Sequence, residues 1–354
     1  MYDAIVIGAR CAGSPTAMLL ARQGHRVLLV DRATFPSDTF KNHFILREGA
    51  VQLQRWGLLP AVQASNCPPV RTQRLDLMGQ VMIMPMEVSD GVDAAYGPRR
   101  QVLDKILVDA AVAAGAELRE GFTVQELVTD GDRVTGIRGK SRDGAVVTEQ
   151  ARIVVGAEGH HSLVARTMEA PAYHARPALT CGYFSYWSGL PCDGIEISMR
   201  AHPAFLLAFP TNDGLTCVAV QVPVAEFAAF RRDVEGYFRQ ILALAPALAE
   251  RVHAGRREYR YQGTADLGNF FRKPYGPGWA LVGDAGYHKD PITARGISDA
   301  FRDADLLATA IHAVLAGEQP ADAALAVYEQ QRNAAALPQY EEACGMAAFQ
   351  LPSA

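Results

Sequence analysis

Hydrophobic and polar positions fall into an ordered series along this chain. Residues Tyr2–Ile7 form an apolar run rich in Ile and Val, the pattern of a strand covered on both faces. Residues 14–23 space their apolar side chains as a helix does, and Gly24 stops them. Residues 26–30 make a second apolar run, closed by Asp31. Residues 46–59 predict a helix with Val51, Leu53, Trp56, Leu58 and Leu59 inward, and 60–72 a proline-marked loop. Residues 73–87 alternate as two strands joined near Gly79. The spacing of Val102, Leu103, Ile106, Leu107, Ala110 and Ala111 predicts a helix over 99–114. Short strands are predicted at 117–120, 123–129, 133–138 and 145–151, then a separate buried strand at 152–155 and a helix from Ser162.

The pattern changes at residue 174. Aromatic and β-branched residues alternate with polar ones through 180–187, 195–200, 205–209 and 215–222, with a hairpin turn at Asn212-Asp213-Gly214. This predicts an antiparallel sheet. Residues 225–254 read as helices broken at Pro246, and 259–267 as a strand returning to the first layer. A buried strand at 279–282 then leads into a helix over 294–315 and an Ala-rich helix over 321–349.

The fold class this order implies is α/β: a Rossmann-like, three-layer ββα cofactor domain with an inserted antiparallel-sheet substrate domain and C-terminal helices. The cofactor domain is expected to comprise 1–72, 99–173 and 265–320. The substrate domain is expected at 73–98 and 174–264, and the helical segment at 321–354.

Composition narrows the function classes. In 354 residues, 49% are hydrophobic and 20% charged, ordinary for a globular protein with a sizeable core. A net charge of −4 gives no electrostatic case for nucleic acid or an anionic membrane. No apolar run reaches the length of a membrane span. The first strand begins at once, so no signal peptide and a cytoplasmic location are expected. The six cysteines are scattered and form no zinc or disulfide pattern, so no metal is expected.

The chemistry concentrates at the ends of apolar strands. Gly8-Ala9-Arg10-Cys11-Ala12-Gly13 joins the first strand to the first helix, and Asp31, followed by Arg32, closes the next strand. This is a dinucleotide-binding βαβ unit, with Arg10 where the second glycine of the usual motif stands. The helix N-terminus suits a pyrophosphate and Asp31 a ribose hydroxyl. Gly156-Ala157-Glu158-Gly159 and Gly283-Asp284 repeat the theme of a strand ending in glycine beside an acid.

Through these three motifs, in this order, the chain resembles the FAD-dependent monooxygenase superfamily of para-hydroxybenzoate hydroxylase, to which geranylgeranyl reductases and flavin halogenases are related. The resemblance implies FAD as cofactor, with Asp284 holding its ribityl chain. Pro291, Arg295, Gly296, Ile297 and Ser298 match a loop whose backbone amides face the flavin pyrimidine. A helix N-terminus there stabilises the negative charge of reduced flavin. Arg100, in the spacing R-x-x-L, matches an FAD-contacting arginine, and His43 and Arg47 fall where relatives approach the flavin. Three positions depart from the family: Glu158 replaces an aspartate, Gly286-Tyr287-His288 replaces Ala-His, and Arg295 replaces a glycine.

The resemblance also implies an activity. NAD(P)H, visiting rather than resident, would reduce FAD. Oxygen would then form a flavin C4a-hydroperoxide that hydroxylates an aromatic or polyketide-like small molecule. Tyr287 and His288 are the candidate acid/base groups, and Tyr183, Tyr186 and Trp187 the candidate pocket aromatics. A reductase of the geranylgeranyl type is the alternative. The halogenase reading lacks its WxWxIP signature, since Trp56, Trp187 and Trp279 are isolated. Monomer and homodimer both remain open.

Overall fold

The computed structural model describes residues 1–39, 41, 43–199 and 202–349. Five strands lie parallel in the order Trp279–Leu281, Val146–Gly156, Tyr2–Ile7, Val27–Val30 and Glu117–Arg119, and Tyr275–Gly276 adds antiparallel at the first edge. Helices Gly13–Arg22, Arg100–Ala113 and Gly296–Leu315 cover one face, where Met18, Leu103, Leu107, Phe301 and Leu307 meet Val6, Leu29 and Val155. Strands Thr123–Asp130 and Arg133–Lys140 belong to a layer on the other face, where Phe122, Val134 and Ile137 meet Ile5, Leu28 and Val154. Cover on both sides is why the central stretches 4–7, Val27–Val30 and 153–155 are apolar throughout. This is the expected three-layer arrangement.

The two strands predicted over 145–155 are one, Val146–Gly156. Its first half pairs antiparallel with Arg133–Lys140, and its second half parallel with Tyr2–Ile7. Burial passes from one-sided to two-sided along it, so the pattern changes although the chain does not break.

The second sheet runs Arg256–Arg257, Thr180–Ser188, Thr216–Pro223, Phe205–Pro210, Ile195–Met199, Thr72–Leu77, Gln80–Pro85. It is antiparallel except where Ile195–Met199 and Thr72–Leu77 run parallel, because the latter arrives from a distant part of the chain. Helices Phe227–Arg232, Val234–Leu242 and Pro246–Ala254 cover one face. Pro246 opens the last of these, at a position whose N–H has no helical partner to lose. Part of the segment expected to return to the first layer, Gln262–Thr264, pairs instead with Thr180–Ser188. The return is Asn269–Arg272, which pairs with Ala172–Arg176 and Tyr287–His288.

Helix Ala321–Ala347 closes the fold. Tyr328 donates from its hydroxyl to the Leu281 carbonyl at 2.9 Å. The fully buried Arg332 donates to the carbonyls of Gly286 at 3.3 Å and Arg272 at 3.1 Å. The last helix is thereby bonded to both flanks of the Gly283-Asp284 turn.

Candidate functional site

A cavity of about 960 Å³ runs from the first glycine turn, past the ends of the parallel strands, to the inner face of the second sheet. Its size is at the top of the range for small-molecule and cofactor sites. Gly8, Arg10, Cys11, Ala12, Asp31, Arg32, His43, Arg100, Glu158, Gly283, Asp284, His288, Pro291, Gly296 and Ile297 all line it. Gly13 lies just beneath: a Cβ there would sit 1.8 Å from the Gly8 carbonyl oxygen. Gly8 has φ +101, and a Cβ on it would meet the Ala157 carbonyl oxygen at 2.7 Å. Strand, turn and helix are thus in closest approach where the motif supplies glycine. Among the described residues no side chain caps the helix that follows, which leaves its N-terminal amides unpartnered by one at the cavity end.

Two arginines share one buried carboxylate beside this turn. Arg10 reaches Asp104 at 2.5 Å and the Ser37 hydroxyl at 3.0 Å. Arg100 holds the same carboxylate with bonds of 2.9 and 3.1 Å. The trio carries a net charge of +1 on the cavity wall, next to the helix N-terminus. Asp31 accepts from the amides of Ala9 at 2.7 Å and Ala33 at 2.8 Å, which fixes its carboxylate at the strand end. The Cys11 thiol is raised to about 12 by burial and is inert.

Midway, Lys41 stands 3.3 Å from Asp284. Burial alone would raise Asp284, but the charges of Lys41, His288 and His160 outweigh it and hold the carboxyl at about 2. His288 donates from Nδ1 to the Gly268 carbonyl at 2.6 Å, and burial lowers its pKa. Glu158 does not reach across the groove. One methylene longer than the family aspartate, it curls back so that Oε1 accepts from the Val164 amide at 3.1 Å. Its Oε2 is buried without a partner among the described residues, and burial raises its pKa.

At the far end, Asp290 caps the turn Pro291–Thr293 by accepting from the Ile292 amide at 3.1 Å. It also takes Thr180 and Gln221 of the second sheet, each at 2.6 Å. Burial lifts it to about 6 in spite of these donors. Arg295 and Ser298 are not on the cavity wall. Arg295 is directed at Glu48, 3.8 Å away, and the Ser298 hydroxyl lies where a Cβ on Gly49 would come within 2.6 Å of it. Tyr287 borders the cavity, but its ring stacks on Phe271 at 5.0 Å and its hydroxyl accepts from Arg302 at 3.2 Å, under the last helix.

The aromatics of Thr180–Ser188 divide by strand alternation. Tyr183 and Trp187 face the helices, Tyr183 on Phe230 and Trp187 on Phe238. Of the three aromatics expected in the pocket, only Tyr183 lines the cavity; Trp187 faces the helices and Tyr186 lies behind His43 and Phe184. The inner face presents Phe184 and Tyr186 beside Phe205, Leu207, Phe209 and Ala219. His43 donates from Nδ1 to the Gly97 carbonyl at 3.0 Å, so its Nε2 accepts from the Tyr186 hydroxyl at 2.9 Å. Burial lowers His43 to about 4 and keeps it neutral.

Sequence reasoning misses Lys41, Asp104, Asp290 and His160. Lys41 and His160 are distant in the chain from Asp284, and Asp290 from Thr180 and Gln221, so no spacing announces those contacts, whereas Asp104 stands one helical turn after Arg100 and carries a usable i,i+4 signal. Phe205, Leu207 and Phe209 carry a usable signal, every second residue of one strand, which the aromatic cluster before them obscures.

The residues present fit FAD. Ser14, in the first turn of the leading helix, and Thr293, in the loop expected at the flavin, each bury a hydroxyl that no group among the described residues satisfies. Gly296 opens the helix below that loop, and a Cβ there would meet nothing within 4 Å. The Arg10–Arg100–Asp104 trio suits a pyrophosphate, and Asp31 and Asp284 suit sugar hydroxyls.

Comparison with known proteins agrees. Tryptophan 2-halogenase of Chondromyces crocatus is 25% identical over 335 residues, which is 92% of this chain and 64% of that protein. The chain thus spans just under two thirds of that relative. Kynurenine 3-monooxygenase of Salinispora arenicola is 30% identical over 362 residues, 93% of this chain and 76% of that protein. The myxobacterial chondrochloren halogenase superposes with a TM-score of 0.88 at 24% identity, over 96% of this chain and 81% of that one, a likeness of fold. The FAD binding domain family matches residues 1–342, so this chain belongs to that family of FAD-dependent oxidoreductases.

Proposed function

We propose that this protein is a monooxygenase that hydroxylates an aromatic or polyketide-like small molecule, using NAD(P)H and O₂. The observation that carries the reading is the continuity of the cavity: the cofactor groove opens directly onto a wall of Phe184, Phe205, Leu207, Phe209 and Ala219. A flat apolar substrate fits such a wall, and water does not.

Bound FAD supplies two-electron chemistry between the nicotinamide donor and oxygen. The chain's own residues do the rest. The amides at the start of Gly13–Arg22 and the Arg10–Arg100–Asp104 trio bind the pyrophosphate. Asp31 and Asp284, the latter ionised throughout the physiological range, accept from sugar hydroxyls. The N-terminus of Gly296–Leu315 favours negative charge on the flavin pyrimidine. The apolar wall excludes water from the reacting atoms. His43 adds a neutral imidazole to this wall, held from behind by the Tyr186 hydroxyl, which donates to its Nε2. His288, with Nδ1 committed to a carbonyl, presents Nε2 as an acceptor.

The test is a screen of phenolic and polyketide compounds for NADPH or NADH consumption, with oxygen uptake and product mass recorded. A product gaining one oxygen atom, labelled from ¹⁸O₂, supports the reading. Turnover without oxygen overturns it in favour of a reductase. The halogenase relative favours a second reading, and halide is therefore included: a product gaining a halogen atom replaces hydroxylation.

A further inference from the structure

We propose that His160, His161 and Asp266 form a transition-metal site at the mouth of the cofactor groove. The two histidines follow the Gly156–Gly159 turn, and Asp266 follows strand Gln262–Thr264 of the second sheet. Folding brings them together across 105 residues, which is why no spacing in the sequence marks them. Asp266 Oδ2 receives His160 Nε2 at 2.9 Å and His161 Nε2 at 2.6 Å. The three ligand atoms all lie within 4.8 Å of one another.

The geometry is close to what an ion needs. Zinc with ligands at about 2.0–2.1 Å in tetrahedral array spaces them about 3.3 Å apart. Each hydrogen bond here must lengthen by roughly half an ångström to admit it. The backbone under both histidines is already held. Arg272 donates to the His160 carbonyl at 3.1 Å and Arg166 to the His161 carbonyl at 2.7 Å. Two imidazoles and a carboxylate suit zinc, nickel or cobalt rather than calcium or magnesium. His161 is 67% and Asp266 59% exposed in their side chains, so solvent reaches a fourth position.

A second cluster, His160 with Asp284 and His288, is the weaker candidate. Lys41 stands 3.5 Å from His160 on its Nδ1 side and 3.3 Å from Asp284, so a second cation there meets repulsion. On the Nε2 side Lys41 is offset by Asp284. An ion at His160, His161 and Asp266 clips the first layer's glycine turn to the end of the second sheet.

The test uses untagged, FAD-loaded protein stripped of metal by a chelator, then titrated with Zn²⁺ against a chromophoric competitor. The expected result is one equivalent bound, weakened at least tenfold by His161→Ala and by Asp266→Asn. Co²⁺ in the same protein should give a d–d absorption band that both variants lose. Absence of saturable binding overturns the site. So does binding whose stoichiometry and affinity both variants retain. The readout is metal binding, so it stands or falls separately from the hydroxylation reading.

Discussion

Replacing Asp104 with Asn tests the electrostatics of the groove most directly. The carboxylate is completely buried and is shared by Arg10 and Arg100. Removing one partner of a buried ion pair costs about 3–5 kcal/mol, because the remaining charge is left uncompensated. Arg10 keeps Ser37 and reaches water, so the penalty falls on Arg100, which is buried and has Asp104 as its bonded carboxylate. That places the loss near the low end, about 3 kcal/mol, or roughly 150-fold in the folding equilibrium. The variant wall carries +2 instead of +1, and a bound pyrophosphate offsets part of that excess. Urea denaturation with and without saturating FAD reads both effects. Apo protein should lose about 3 kcal/mol. FAD should stabilise the variant by more than it stabilises the parent. A loss below about 0.5 kcal/mol, or an equal FAD increment in both proteins, refutes the reasoning.

Other expectations follow from the same geometry. Asp284→Ala removes the acceptor for a sugar hydroxyl and should weaken FAD retention by about 1–3 kcal/mol, read by equilibrium dialysis; unchanged affinity would take Asp284 out of the cofactor site. Asp290, lifted to about 6, binds more protons folded than unfolded between about pH 4 and 6. Its contribution is therefore present below about pH 4 and is lost as pH rises to about 6, by about 3 kcal/mol, and Asp290→Asn should flatten that slope in pH-dependent unfolding. Trp187→Ala should cost about 3–5 kcal/mol of stability and leave the substrate KM of the folded enzyme unchanged, whereas Phe184→Ala should raise KM. Gly13→Ala should abolish FAD binding, because its Cβ would collide with the Gly8 carbonyl.

Much of the fold is legible in the sequence because both faces of the central sheet are covered. Residues 4–7 and Val27–Val30 therefore advertise themselves as unbroken apolar runs, and Gly8 and Gly13 mark the turn between strand and helix. Val146–Gly156 misleads because its environment changes midway while its hydrogen bonding continues. Which face of Thr180–Ser188 meets the cavity is not legible either. Alternation separates Tyr183 and Trp187 from Phe184 and Tyr186, but only the helices over 227–254 decide which set they cover. The motif residues that line the groove are readable because backbone geometry demands them. Lys41 is not, since any chain position can supply a charge in space, and neither are the bonds of Asp290 to Thr180 and Gln221.

The two bonds from Arg332, with the one from Tyr328, set a timetable for the protein's synthesis. The groove begins at Gly8, yet the turn that carries Asp284 is held at the carbonyls of Leu281 and Gly286 by the last helix. At roughly 5–20 residues per second, about 15–60 seconds separate the emergence of the first glycine turn from that of Arg332. During that interval the nascent chain has half a cofactor site and exposed apolar strands. The half of the groove that carries Asp284 therefore takes its final shape only after Arg332 has been made and its helix has docked.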